Sequence, residues 1–137
     1  PTRRSSDLTM TFEGRFAEQI RPDQLHILNV SFLVPTLRRD FGGCAGNIAY
    51  SLKQLGGHPL PMAAVGSDGR GYIERLQSLG IDTGFVREIG DAYTAQCYIT
   101  TDLANNQITA FHPGAMQQAH LTTITPRADV RLGIISP

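Results

Sequence analysis

Residues 41–57 read "FGGCAGNIAYSLKQLGG", and the chain changes character inside them. Gly42, Gly43 and Gly46 crowd the start. From Ala45 the apolar residues recur at Ala45, Ile48, Ala49, Leu52 and Leu55. That period predicts an amphipathic helix with one stripe on a core. Gly56 stands where a helix wants a left-handed residue after its last turn. Glycines just ahead of a helix let backbone N–H groups approach a ligand with no Cβ in the way. Asn47 falls in the first turn, off the apolar stripe. Its carboxamide both donates and accepts, which suits the vicinal hydroxyls of a sugar. The same residues also suit a tight strand-to-helix turn in which Asn47 satisfies helix-end groups. The local pattern leaves both readings open.

Outward from this stretch the chain alternates strands and helices. On the N-terminal side, "LHILNVSFLVP" (residues 25–35) puts Leu28, Val30, Phe32 and Val34 on one face and Asn29 and Ser31 on the other. This predicts a strand ended by Pro35. Arg38 and Arg39 in "TLRRDF" read as a solvated strand edge. On the C-terminal side, "PLPMAAVG" predicts a short buried strand. A second helix follows, with Asp68 as its cap and Tyr72, Ile73, Leu76 and Leu79 as its stripe before Gly80. "IDTGFVREIG" reads as strand plus turn. In "YTAQCYITT", Tyr93, Ala95, Cys97 and Ile99 share a face, and "DLANN" turns the chain into "QITAFHP", where Gln107, Thr109 and Phe111 share one. "GAMQQAHL" reads as a short helix, and "RLGIISP" as a buried strand over Leu132–Ile135. The order predicts an α/β core with a β appendage.

Composition narrows the function classes. The chain has 137 residues, 41% apolar and 18% charged, so one globular domain is expected. Twelve basic residues balance twelve acidic ones, which gives no electrostatic case for nucleic acid or an anionic membrane. No apolar run approaches the ~18 residues of a membrane span. Cys44 and Cys97 lie far apart without metal-ligand spacing and read as free thiols of a reducing cytoplasm. His26, His58, His112 and His120 likewise lack metal-ligand spacing. "VGSDGRG" spaces Gly66, Gly69 and Gly71 as G-x-x-G-x-G, which is not the dinucleotide fingerprint. Residues 1–8, "PTRRSSDL", are polar, basic and without period. They look like the translation of a sequencing-adapter oligonucleotide and are set aside as a non-native leader.

The pattern Gly42-Gly43-x-Ala45-x-Asn47-x-Ala49, followed by Gly56 and Gly66, resembles the first signature of the ribokinase-like (pfkB) family of carbohydrate and nucleoside kinases. "FEGRFAEQI", "LHILNVSFLVP", "GGCAGNIAY", "TAQCYITTD" and "QITAFHPGAM" are similar to its bacterial adenosine-kinase-like branch. The likeness runs over roughly residues 10 to 120. It implies a partial Rossmann-like parallel sheet with helices, within residues 9–137, plus a small β-sheet lid from about 9–40 and 93–112. It implies transfer of the ATP γ-phosphoryl group, with Mg²⁺, to a hydroxyl of a nucleoside or sugar, adenosine being the first choice. Carried over by position, Gly42 and Gly43 hold a sugar hydroxyl through the backbone and Asn47 through its amide. Ser31 and Phe32 lie in the covering lid, and Phe111 packs on a base or sugar face. Cys97 stands where relatives are expected to carry an aromatic. A cytoplasmic enzyme is implied, and a homodimer through the lid is compatible with it.

The family's early Gly-Ser or Gly-Asp pair with its following Asp is missing. So is the late Asp-Thr-x-Gly-Ala-Gly-Asp run that supplies anion hole and catalytic base; Asp129 in "PRADVR" has no glycine neighbours. Phosphoryl transfer rests on positioning and electrostatic stabilisation. The expectation is therefore an N-terminal, substrate-side fragment that is inactive alone. The alternative is a non-catalytic α/β module that binds a sugar or nucleoside.

Overall fold

The computed structural model of the chain describes residues 6–124 and 129–136. In chain order the elements are β1 (Ser6–Thr11), α1 (Phe16–Gln19), β2 (Thr36–Asp40), α2 (Cys44–Gln54), β3 (Ala63–Gly66), α3 (Arg70–Ser78), β4 (Val86–Ile89), β5 (Gln96–Thr101) and β6 (Gln107–His112). Tight 3-10 turns cover Pro22–Ile27 and Gly114–Leu121. The class is α/β, as the alternation predicts. Two compact units interleave in sequence: residues 41–95 with those from 113 onward, and residues 6–40 with 96–112.

In the first unit, β3 and β4 run parallel, with Ala63 opposite Val86 and Gly66 opposite Ile89. α3 makes the crossover between them. Pro59 and Pro61 keep β3 short, because proline offers no N–H to a ladder. The core gathers Ala49 of α2, Val65 of β3, Tyr72 and Leu76 of α3, and Ile81, with Phe41, Ile73, Leu79 and Val86 packed around them. Both helical stripes are therefore real, but that of α2 is only partly covered: Ala49 is buried, while Leu52 and Leu55 are exposed. Gly56 takes the left-handed conformation, at φ +82°.

Two expectations change in this unit, and the short helix expected over "GAMQQAHL" is met. The N-cap of α3 is Gly69 and not Asp68. The Asp68 carboxylate instead accepts from the N–H and hydroxyl of buried Thr94, both at 2.7 Å. Leu132–Ile135 forms no strand, and Leu132, Ile134 and Ile135 are exposed. An apolar run supplies the pattern of a strand but not a neighbour to pair with. The segment Gly114–Leu121 is helical, in 3-10 form.

The second unit is one four-stranded sheet of order β2-β1-β5-β6. β1 runs antiparallel to β2 and parallel to β5, and β5 is antiparallel to β6. Residues 6–8, set aside above with the leader, belong to β1 at the sheet's centre; residues 1–5 lie outside the described residues. The sequence "SDLTMT" alternates once it is aligned on β5, and so fits between two partners. All of β2 is exposed, and Arg38 pairs at 2.6 Å with Asp40 on its own strand. Phe12, Phe16 and Phe32 form an aromatic cluster with centroids 4.9–5.8 Å apart. Beside it, the buried Asp102 carboxylate accepts from the N–H groups of Phe16, Ala104 and Asn106 and from the Asn106 amide. These bonds order the β5–β6 turn.

The strand predicted over residues 25–35 is not formed. Residues 22–27 are 3-10 turns with a kink at Gln24, and residues 28–34 have no regular pairing. Leu25, Ile27, Leu28 and Leu33 are exposed. Period-2 alternation says which residues would share a face, not that an edge is at hand.

Candidate functional site

The glycine stretch forms the mouth of α2. Gly43 sits at the N-cap with φ +95°, a conformation that side chains with a Cβ rarely adopt. No side chain caps the helix, and its first turn holds no acidic residue. The first intrahelical bond runs from Asn47 N–H to the Gly43 carbonyl at 3.1 Å. By helix geometry the N–H groups ahead of Asn47 have no carbonyl to meet. Those of Gly42 and Gly43 have no hydrogen-bond partner among the described residues. The N–H groups of this stretch thus lie at a helix end whose dipole favours electronegative oxygen, with Gly42 buried and Gly43 exposed. The Asn47 carboxamide is exposed on the first turn. It does not cap the helix, so the turn-stabilising role considered for it is not the one it takes.

Beneath the mouth, the Tyr72 hydroxyl donates to the Gly42 carbonyl at 3.0 Å. Its ring lies 5.8 Å from that of Phe41, and the Arg75 guanidinium covers Phe41 at 4.6 Å. The helical stripe places Tyr72 on the core face as a hydrophobe. The signal for a second role was its phenol, which must find a partner when buried.

In the second unit, Cys97 and Phe111 stand directly opposite each other on β5 and β6, and Asp7 of β1 flanks Cys97 on the other side. Side chains directly opposite share a face. Burial pushes the Cys97 thiol pKa up, and the Asp7 charge adds to the rise. Phe111 is 55% exposed. Ser31 is exposed, and Phe32 is committed to the cluster with Phe12 and Phe16.

Two clefts lie in the first unit. One, of about 560 Å³, is lined by Ser67, Arg70, Ile73, Glu74, Gln77 and Glu88. The other, of about 360 Å³, lies between residues 84–87 and 121–123. Neither includes an expected site residue. Among the described residues no group of three or more His, Cys, Asp or Glu side chains is placed to hold a metal. No helix among them is long and apolar enough to cross a membrane.

Residues 15–131 match the family described as pfkB family carbohydrate kinase. A nucleoside kinase of Methanocaldococcus jannaschii is 34% identical over 100 residues, covering 72% of this chain and 32% of that protein. The structure of the Burkholderia thailandensis nucleoside kinase in complex with inosine is 56% identical with a TM-score of 0.73, covering 85% of this chain and 36% of that one. The same enzyme in complex with ADP-inosine is 59% identical with a TM-score of 0.64, covering 85% and 37%. The chain spans about a third of the length of the relatives it matches.

Proposed function

The chain belongs to the pfkB family of carbohydrate kinases, and from that premise we propose that it is the acceptor-binding part of an ATP-dependent nucleoside kinase. The acceptor is a purine nucleoside. Adenosine is the first choice, and the inosine complex of the Burkholderia thailandensis relative supports the wider class. The observation that carries the reading is the mouth of α2, where the N–H groups of Gly42 and Gly43 have no partner among the described residues and the Asn47 amide is exposed, inside the matched stretch.

On this reading Gly42 and Gly43 N–H donate to ribose oxygens, and Asn47 donates to one hydroxyl while accepting from its neighbour. Orienting the acceptor in this way converts lost freedom into rate. Within the second unit, exposed Phe111 with Cys97 opposite it on β5 is proposed as a surface able to pack on an aromatic base. Ser31 and Phe32 are proposed as lid residues. ATP, with Mg²⁺, supplies the phosphoryl group when bound. No Asp-Thr-x-Gly-Ala-Gly-Asp run occurs in the sequence, so the chain alone is proposed to bind weakly and transfer nothing. The free thiols Cys44 and Cys97 agree with a cytoplasmic location.

The test is a chimera in which residues 10–131 replace the matching segment of the Burkholderia thailandensis enzyme. It should phosphorylate adenosine or inosine with kcat/KM at least about tenfold above ribose and fructose, since one or two lost hydrogen bonds account for that ratio. A preference for ribose or fructose would overturn the acceptor. A folded chimera with no turnover on any acceptor would overturn the kinase reading. Micromolar adenosine binding by the chain alone would favour the non-catalytic module.

A further inference from the structure

Resting on the acceptor reading above, we infer that Tyr72 is a positioning residue: its hydroxyl sets the direction in which the Gly43 N–H is presented. The Gly42 carbonyl and the Gly43 N–H belong to one planar trans peptide unit, and in such a unit the two groups point in opposite directions. The carbonyl is held at 3.0 Å by the Tyr72 hydroxyl, which lies on a buried side chain. The N–H at the other side of the same plane is therefore turned away from the core. The burial pattern agrees, with Gly42 buried and Gly43 exposed. Without this bond, two consecutive glycines leave the plane free to rotate, and the N–H is no longer held toward solvent to donate to a hydroxyl oxygen.

The ring that carries the hydroxyl is fixed. It packs among Ala49, Val65, Leu76 and Ile81 and against Phe41. The same arrangement explains Gly46, the third glycine of the stretch, which falls at an unconstrained position of the family pattern. A Cβ on Gly46 would overlap the Tyr72 hydroxyl. Gly46 thus leaves the space through which Tyr72 reaches Gly42.

Tyr72→Phe keeps the ring and removes the bond. In the chain, the Gly43 amide should shift in the ¹H–¹⁵N spectrum, and the Kd for adenosine by titration should rise about five- to tenfold, the equivalent of one hydrogen bond. A merely structural role would lower thermal stability and leave both unchanged. In the unaltered chain, the Gly43 amide should exchange with solvent at nearly the unprotected rate and should move on adding adenosine. Protection of that amide overturns the inference even where the variant does not fold, as does equal adenosine affinity in folded Tyr72→Phe. If the unaltered chain binds neither adenosine, inosine nor ribose, the acceptor reading fails and this inference with it.

Discussion

The Asp68 carboxylate and Thr94, 26 positions apart, are joined by two hydrogen bonds through one oxygen: the backbone N–H and the hydroxyl of Thr94 both donate to Asp68 Oδ1. The Thr94 hydroxyl in turn accepts from the Gly66 N–H at 2.9 Å. Thr94 is 2% exposed, so water cannot replace either bond. Thr94→Val keeps the shape, strands the Gly66 N–H and leaves the carboxylate with one bond fewer. The expected loss is about 1–3 kcal/mol, read by urea denaturation. Thr94→Ser keeps the hydroxyl and should lose about 1 kcal/mol, for the methyl alone. Equal losses in the two variants would show that packing, not the hydroxyl, matters there.

Asp102 predicts an acid limb to stability. Its burial raises the carboxyl pKa, but the bonds from the Phe16 N–H, the Asn106 side chain and backbone, and the Ala104 N–H outweigh this and hold it below the usual carboxylate range. The folded carboxyl is thus more acidic than the unfolded one, at about 3.9. Its stabilisation is complete above that value and is lost as pH falls through the folded pKa. The thermal midpoint should therefore decline below about pH 4. Asp102→Asn should lower the midpoint at neutral pH and flatten that decline. An equally steep acid limb in the variant would assign the effect to other carboxyls.

What was legible in the sequence was local. The glycines, the period and Gly56 sit within one stretch, so α2 and its mouth could be read directly, as could the stripe of α3 and the β5–β6 hairpin. What was lost needed a distant partner. Asp68 looks like a cap because cap preferences are short-range, yet Thr94 competes for it from 26 positions away. Residues 25–35 and 132–135 carry strand patterns, but a pattern does not supply an edge. Tyr72 was counted for its ring, while its hydroxyl acts on Gly42, 30 positions earlier.

The two thiols should differ in reactivity. The nucleophile is the thiolate, so a raised pKa slows alkylation at fixed pH. Burial first, then Asp7, pushes the Cys97 pKa up, whereas Cys44 is exposed. Iodoacetamide at mildly alkaline pH should label Cys44 well before Cys97, as followed by peptide mass spectrometry. Asp7→Asn should speed labelling of Cys97 while leaving Cys44 unchanged. Identical Cys97 rates with and without the Asp7 charge would leave burial as the sole cause.

Asn47 separates binding from folding. Its side chain is exposed and the N-cap of α2 is Gly43, so Asn47→Ala removes little buried surface and puts a stronger helix former in the first turn. Stability should hold within about 0.5 kcal/mol, or rise slightly. Adenosine affinity should nevertheless fall about tenfold, because a ribose hydroxyl loses both its donor and its acceptor. Asn47→Asp keeps the acceptor, and the helix dipole tolerates its charge, so its affinity should lie between the two. The ordering native, Asp, Ala in a titration of the chain with adenosine is the expected result. Equal affinities in folded variants would mean that the carboxamide faces no acceptor, and the mouth of α2 would then be a turn and nothing more.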